Sequence, residues 1–349
     1  MKFFSDQKGQ AMVMVVLAFA VLVGFAGLAM DSANIFYQKT KIQSAVDAAC
    51  LAGAMQLDGT VAAETTATTA ATTIAGQNGP VTLIIDTITP SKIRATASRD
   101  VPLYLLTVLG FTSPQTVAAH AAAELVTDPC FDYAIFSGGE INTTLILGGS
   151  LIVHGSTWSN DRTKLNGSHV YITGNVYSSN DMEENGSPTV EGEKYANVNT
   201  ILPMPTDIMS QKVLAQATTE GHIFAGPKTF SSGSISGAYY INGDVNIEGT
   251  FIGTGTILAT GNITIGDVGS TGQLGLIALG TEGFNKLNGD RTIDAILYAP
   301  NGSINGNGDA IINGNLIVKN FSSFNGNLTV YGTSDITSLP KTFSHLCPY

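Results

Sequence analysis

The chain has 349 residues, 12% of them charged and 44% hydrophobic, with 39 glycines and a formal net charge of −11. That apolar share is enough to bury a core, which excludes a highly charged disordered chain. The acidic balance argues against a nucleic acid partner, because phosphate contacts need a basic surface. Glycine without a strict three-residue period excludes collagen.

The composition is unevenly spread. Residues 1–129 hold 8 glycines and are net −2; residues 130–349 hold 31 and are net −9. The first part is rich in Ala, Val, Leu and Thr, the second in Asn, Gly, Ser, Thr and Ile. The expected division is a terminal segment 1–10, a span 11–30, a module 31–129 and a separate domain 130–349.

Ala11 to Met30 reads AMVMVVLAFAVLVGFAGLAM, without one charge. At 1.5 Å per residue, such a helix spans about 30 Å, the thickness of a hydrocarbon core. It is longer than a signal-peptide apolar region of about 7–15 residues. A retained transmembrane helix in a lipid bilayer is therefore expected. Lys2 and Lys8 place the N-terminus on the cytoplasmic side by the positive-inside rule, against Lys39 and Lys41 beyond the span. The bulk of the chain would then be extracytoplasmic.

The helix is expected to continue through residue 57. Ile35, Ile42, Val46 and Ala49 share one face at helical spacing. Ala45, Ala49 and Gly53 form a small-residue row, and Ala20 with Gly24 a second one inside the span. Such rows let another helix approach closely, although Ala is also simply a good helix former.

Gly9-Gln10, the apolar span, Asp31, Tyr37 and the run Ile42-Gln43-Ser44-Ala45-Val46-Asp47-Ala48-Ala49-Cys50-Leu51-Ala52-Gly53-Ala54 together resemble the N-terminal region of TadE/TadG-like Flp pilus-assembly proteins. The resemblance implies a helix, two strands, a short helix and a small-residue strand, continuing loosely to about residue 126. Thr82 to Asp86 and Lys92 to Ser98 fit the strands, Val101 to Gly110 the short helix, and Thr116 to Val126 the last strand. It further implies contacts with other pilus-assembly proteins, or self-association. Pseudopilins of this family are cut after a Gly and carry Glu at the fifth mature position. A cut between Gly9 and Gln10 would put Met14 there, which brings the chain nearer the unprocessed TadG-like branch. The metal motif of some TadG-like proteins has no counterpart here.

From residue 130 on, Asn-Gly or Gly-Asn pairs precede short runs of alternating aliphatics, as in INGDVNIEG (241–249) and TGNITIG (260–266). Asn-Gly adopts positive φ cheaply and ends strands in tight turns. Gly149 to Gly167 and Gly243 to Gly261 are 18 residues apart, whereas Gly302, Gly314 and Gly326 are 12 apart. Short repeats of this kind predict an all-β solenoid, most naturally a right-handed β-helix, with the 12-residue steps as narrower coils. A β-sandwich or jelly roll is the alternative. Pro203, Pro205 and the stripe Ile208, Val213, Leu214, Ala217 predict one inserted helix over 206–219. The acidic stretch 180–194 reads as an exposed loop.

Cys130 and Cys347 bracket the second part and would suit a disulfide outside the cell. Cys50 reads as a buried thiol. The five histidines form no metal-binding spacing, so no metal site is expected; no cofactor motif appears either. Asp290, Arg291 and Asp294 are the nearest approach to a catalytic cluster, and they sit at an ordinary turn. The chain is therefore expected to be no enzyme but a membrane-anchored pilus-assembly component acting by contact. The alternative is a tethered adhesin that binds cell-surface glycan through Trp158, Tyr171, Tyr177, Tyr239 and Tyr240.

Overall fold

The structure is a computed structural model and describes residues 7–57, 63–288, 290–321, 324 and 326–349. Gly289 and Asn325, which belong to two of the expected Asn-Gly turns, lie outside the described residues. The chain forms two units: one runs to Val126 and includes Phe343–Tyr349, the other is Thr127–Thr342. The change from the first unit to the second falls between Val126 and Thr127. The second domain, however, stops at Thr342 and not at the C-terminus, because Phe343–Cys347 is a strand of the first unit's sheet. The second unit is thus inserted between two neighbouring strands of the first.

The first unit is built on a long helix, α1 (Gln7–Met55). A second helix, α2 (Ala63–Gln77), packs beside it. Three antiparallel strands follow: β1 (Thr82–Ile88), β2 (Lys92–Val101) and β3 (Gln115–Val126). The C-terminal strand pairs with β3 and completes a four-stranded sheet. Ile93, Ala95 and Ala97 of β2 and Ala119, Ala121 and Ala123 of β3 alternate onto the face that buries Ile42, Val46 and Ala49 of α1. Alanine at these positions lets helix and sheet approach closely while still excluding water. The helix expected over 101–110 is only a 3-10 turn, Leu106–Leu109, since Val101 is still in β2 and Pro102 cannot continue the strand.

The second unit is a β-solenoid of about ten coils of parallel strands. One register column runs Ile223, Tyr240, Leu258, Ile277, Tyr298, Ile317, Phe136, Trp158, Tyr177, Tyr195. Steps along the sequence are 17 to 22 residues, with one exception: Ile317 is followed by Phe136. The chain therefore enters the stack in its middle. It winds out to Tyr195, returns to the opposite end, and winds from Ile223 back until it meets its own entry point. The acidic stretch expected as a loop is the terminal coil, with strands at Met182–Asn185, Thr189–Val190 and Lys194–Tyr195.

A strap carries the chain between the ends. The backbone N–H of Val198 donates to Ser178 O at 3.1 Å, and Leu202 exchanges two bonds with the Asn160 side chain. Helix α3 (Thr206–Glu220) then buries Met209, Val213 and Ala217 against Ala238, Leu258, Ile277 and Tyr298. The sheet is apolar on both faces here: Ile257, Leu276 and Leu297 point into the solenoid, and their sequence neighbours point out under the strap.

The 12-residue glycine steps are not narrower coils. Gly302 lies against Gly283, Gly314 against Ala295, and Gly326 against Gly308, each 18 or 19 residues back. Successive members of the series occupy different corners of coils of ordinary length. Gly174 shows why the corners need glycine. A Cβ there would stand 2.5 Å from Gly155 O and Ser156 N of the coil beneath. Gly174→Ala should destabilise the chain by about 1–3 kcal/mol through this overlap. Gly76→Ala, on α2 with nothing near its added Cβ, should instead stabilise it by about 0.5–1 kcal/mol. Thermal unfolding of the full chain in detergent compares the two.

Asp128 and Thr342, at the two ends of the inserted unit, are hydrogen bonded through their side chains. Asp128 is buried, and loss of hydration pushes its pKa up to about 6. Its folded pKa thus lies above the unfolded value of about 3.9, so the folded state holds the proton more tightly. This group adds stability as pH falls from about 6 to about 4 and withdraws it as pH rises. Asp128→Asn should raise stability at pH 7 by roughly 1–2 kcal/mol and flatten that slope, as read from denaturant unfolding at pH 4.5 and pH 7 beside the parent chain.

Candidate functional site

Helix α1 changes character at Asp31. From Met12 to Met30 its side chains are almost all exposed, with Phe19 at 67% and Phe25 at 66%. A continuous apolar surface of this length is the mark of a lipid or protein contact, and the segment is long enough to cross a bilayer. From Asp31 onward one face of the helix is buried against the sheet and α2.

Asp31 holds this transition. Its buried carboxylate accepts the backbone N–H groups of Tyr104 (3.1 Å), Leu105 (2.8 Å) and Leu106 (2.7 Å). One turn earlier, Gly27 clears space for Leu105; an added Cβ would lie 2.7 Å from the Leu105 Cβ. The segment around Leu106–Leu109 is thereby pinned to the end of the apolar stretch. Around it Tyr104, Phe111, Phe36 and Tyr37 are exposed, and the Lys41 ammonium lies 4.6 Å from the Tyr37 ring centre. Aromatic rings beside lysines suit the membrane–water interface.

The small residues divide between two settings. Ala45, Ala49 and Gly53 are buried inside the unit, and a Cβ on Gly53 would meet Ile93 Cδ1 at 2.8 Å and Ala67 O at 3.2 Å. The close-approaching partner of that row is thus α2, whose Ala63, Ala67, Ala71 and Ala75 are buried. Ala20 is exposed, and Gly24 has nothing near the place of an added Cβ. Gly9 and Gln10 lie in the first turns of α1. Sequence reasoning passed over the work of Gln43: its amide donates to Asp47 Oδ1 at 2.7 Å and to His120 O on β3 at 3.0 Å. The Gln-to-Asp spacing of four residues, one helical turn, was the available signal.

The expected Cys130–Cys347 bridge is absent: all three cysteines are free thiols. Cys130 is fully buried in the apolar cluster with Phe131 and Tyr298, where desolvation holds its pKa well above the usual thiol range. Cys50 donates to Ala121 O at 3.4 Å. Cys347 pairs with Ala122 and so shares that residue's face of the sheet, opposite the face of Ala121 that receives Cys50. Cys347 is the most accessible of the three.

On the solenoid, Asp290 and Arg291 line one open cleft with Asp267 and Asp309, and Asp294 is not part of its lining. Arg291 lies 3.3 Å from Asp267, while Asp294 accepts the Ser270 N–H and the Asn313 amide of adjoining coils. Asp309 accepts from Asn327, 18 residues on, and Asp244 from the Asn262 N–H. These carboxylates bracket one coil to the next. Among the described residues no group of three or more His, Cys, Asp and Glu is placed to hold a metal ion. Of the aromatic candidates, Trp158 is buried and donates to Asn160, Tyr177 is stacked on Tyr195, and Tyr239 is stacked on His222. The Tyr171 hydroxyl is engaged by Glu191, and Tyr240 is half-buried at the edge of the α3 cluster.

Residues 9–56, nearly the whole of α1, match the model of a family described as putative Flp pilus-assembly TadE/G-like. Comparison with curated proteins and with solved structures gives no match. The matched stretch contains both the exposed apolar segment and Asp31 and Gln43, whose hydrogen bonds tie the helix into its module.

Two measurements check this arrangement. Asp31→Ala would leave three backbone N–H groups without their acceptor and should cost roughly 3 kcal/mol, with faster hydrogen exchange at residues 104–106. Brief alkylation of the folded chain should add one label, at Cys347. Cys50 and Cys130 should react only after denaturation, as peptide mapping would show.

Proposed function

We propose that the chain is a membrane-anchored, exported structural component of a Tad/Flp-like pilus or secretion-assembly system, working through protein–protein contacts and not through catalysis. The observation that carries this reading is the double use of the family-matched helix. One half is bare and apolar, while the other is the central support of a folded module. A cleavable leader has no need of the second half, and a soluble core helix would not leave the first half bare. The N-terminus is read as cytoplasmic, with the module and solenoid outside. Ala20 and Gly24 offer a smooth strip on the bare segment, where a helix of another assembly protein can lie close.

Glycan binding by the solenoid has less support, since Trp158 is buried and the tyrosines proposed for it are stacked, hydrogen bonded or packed.

The test uses the full chain in cells that carry a Tad system. It should fractionate with membranes, and a C-terminal tag should be lost to protease added outside the inner membrane. A tag protected until that membrane is permeabilised would overturn the orientation. Gly24→Leu has room within the chain, so its unfolding midpoint should not move. Capture of Tad partners from membranes should nevertheless fall by about fivefold or more if the strip is a contact, equivalent to about 1 kcal/mol.

A further inference from the structure

The two ends of the solenoid are finished differently from its middle. Solenoids usually require terminal caps with a polar outer face, because an open end exposes both core and strand edges. Here, among the described residues, the first coil, Ile223–Ser234, pairs only with the coil above it, and the last, Met182–Tyr195, only with the coil beneath. The outward apolar column runs without interruption into both, ending on Ile223 (46% exposed) and Tyr195 (43% exposed), whereas Leu258, Ile277 and Tyr298 inside it are fully covered. The inward positions also stay apolar: Phe224 and Phe230 at one end, Met182 and Val190 at the other, all partly uncovered.

Charge separates the ends. The last coil carries Asp181, Glu183, Glu184, Glu191 and Glu193 against Lys194. Lys164 and Lys194 engage Glu183 and Glu184, which leaves Asp181, Glu191 and Glu193 without a salt-bridge partner among the described residues. The first coil, 221–234, carries Lys228, whose ammonium lies over Phe224, and His222; the one carboxylate beside it, Glu220, is already engaged by the Ala238 N–H, by Gln216 and by His222 at 3.6 Å. Two acidic ends repel each other, whereas an acidic end and a Lys228 end attract.

We propose that the solenoids of two copies of this chain stack end to end, the first coil of one seating on the last coil of the next. In that register Ile223 continues the column above Tyr195, and His222 lies beside Lys194. Each end offers the edge that a further coil of the same chain would use, so parallel hydrogen bonding carries on across the junction at the ordinary strand spacing of about 4.8 Å. Such a contact is head-to-tail: it does not close on itself, and repetition gives a fibre. It follows from the solenoid alone and stands apart from the pilus-assembly role.

The experiment uses the full chain with Cys347→Ser, reconstituted at fewer than one chain per micelle so that shared micelles do not bring copies together. Tyr195→Cys and Ile223→Cys place the two cysteines at neighbouring-strand distance across the junction, inside the 4.4–6.8 Å Cα range of a disulfide. Mild oxidation of the double variant should give a ladder of dimers, trimers and longer species on a non-reducing gel. Either single variant should remain monomeric, and Lys228→Glu in the double variant should lower the crosslinked fraction about tenfold. A double variant that stays monomeric while its unfolding midpoint matches the parent overturns the contact. Dimers from either single variant overturn it as well, because they would mean a two-fold interface.

Discussion

Parallel strands in one sheet stand about 4.8 Å apart, and in a solenoid every side chain has a like-placed neighbour at that distance above and below. This spacing governs the rest of the second unit. At the corners, where the backbone turns inward, it leaves no room for a Cβ, hence the glycine on glycine at Gly155, Gly174 and Gly192. On the faces it sets equal charges side by side at a cost, so charge is sparse and paired across coils, as Lys164 is with Glu183. Asp and Asn use the same short step to reach the next coil, which is how Asp309 meets Asn327.

The second consequence is the strap. A chain that enters its own stack in the middle must at some point travel from one end to the other. Residues 197–220 make that journey over a sheet face already apolar on its outer side, so the connection is also the cover. Tyr298 shows the cost of so much cover: it is fully buried, and its hydroxyl is pushed well above the usual phenol pKa by loss of hydration. The first unit solves a related problem with alanine, whose small side chain lets α1 lie close over two strands.

Much of this was legible in the chain itself. Strand and turn chemistry marked the solenoid, Pro205 and the spaced aliphatics marked α3, and the twenty-residue apolar run marked the bare half of α1. Helix α2 was not legible, because its threonines favour strands by propensity. It forms because its alanine stripe fits against Gly53, while Thr68, Thr69, Thr72 and Thr73 turn their hydroxyls back to carbonyls four residues earlier. The mid-stack entry was equally hidden. Local spacing fixes the length of a coil but carries no information on which coils become neighbours when they are 180 residues apart in sequence. The return of the last strand to the first unit is a pairing of the same long-range kind. The supposed disulfide came from reading two sequence boundaries as if they were positions in space.

The mid-stack entry also bears on time. During synthesis the coils at 135–195 are completed first, yet the edge at Ile135 and Leu151 receives its partners only when Leu316 and Leu328 arrive. At about 5–20 residues per second that is an interval of roughly ten to thirty seconds. Throughout it, the half-built stack carries an open strand edge on a chain still leaving the ribosome. The early coils therefore wait, edge open, for strands that the same chain supplies only near its end.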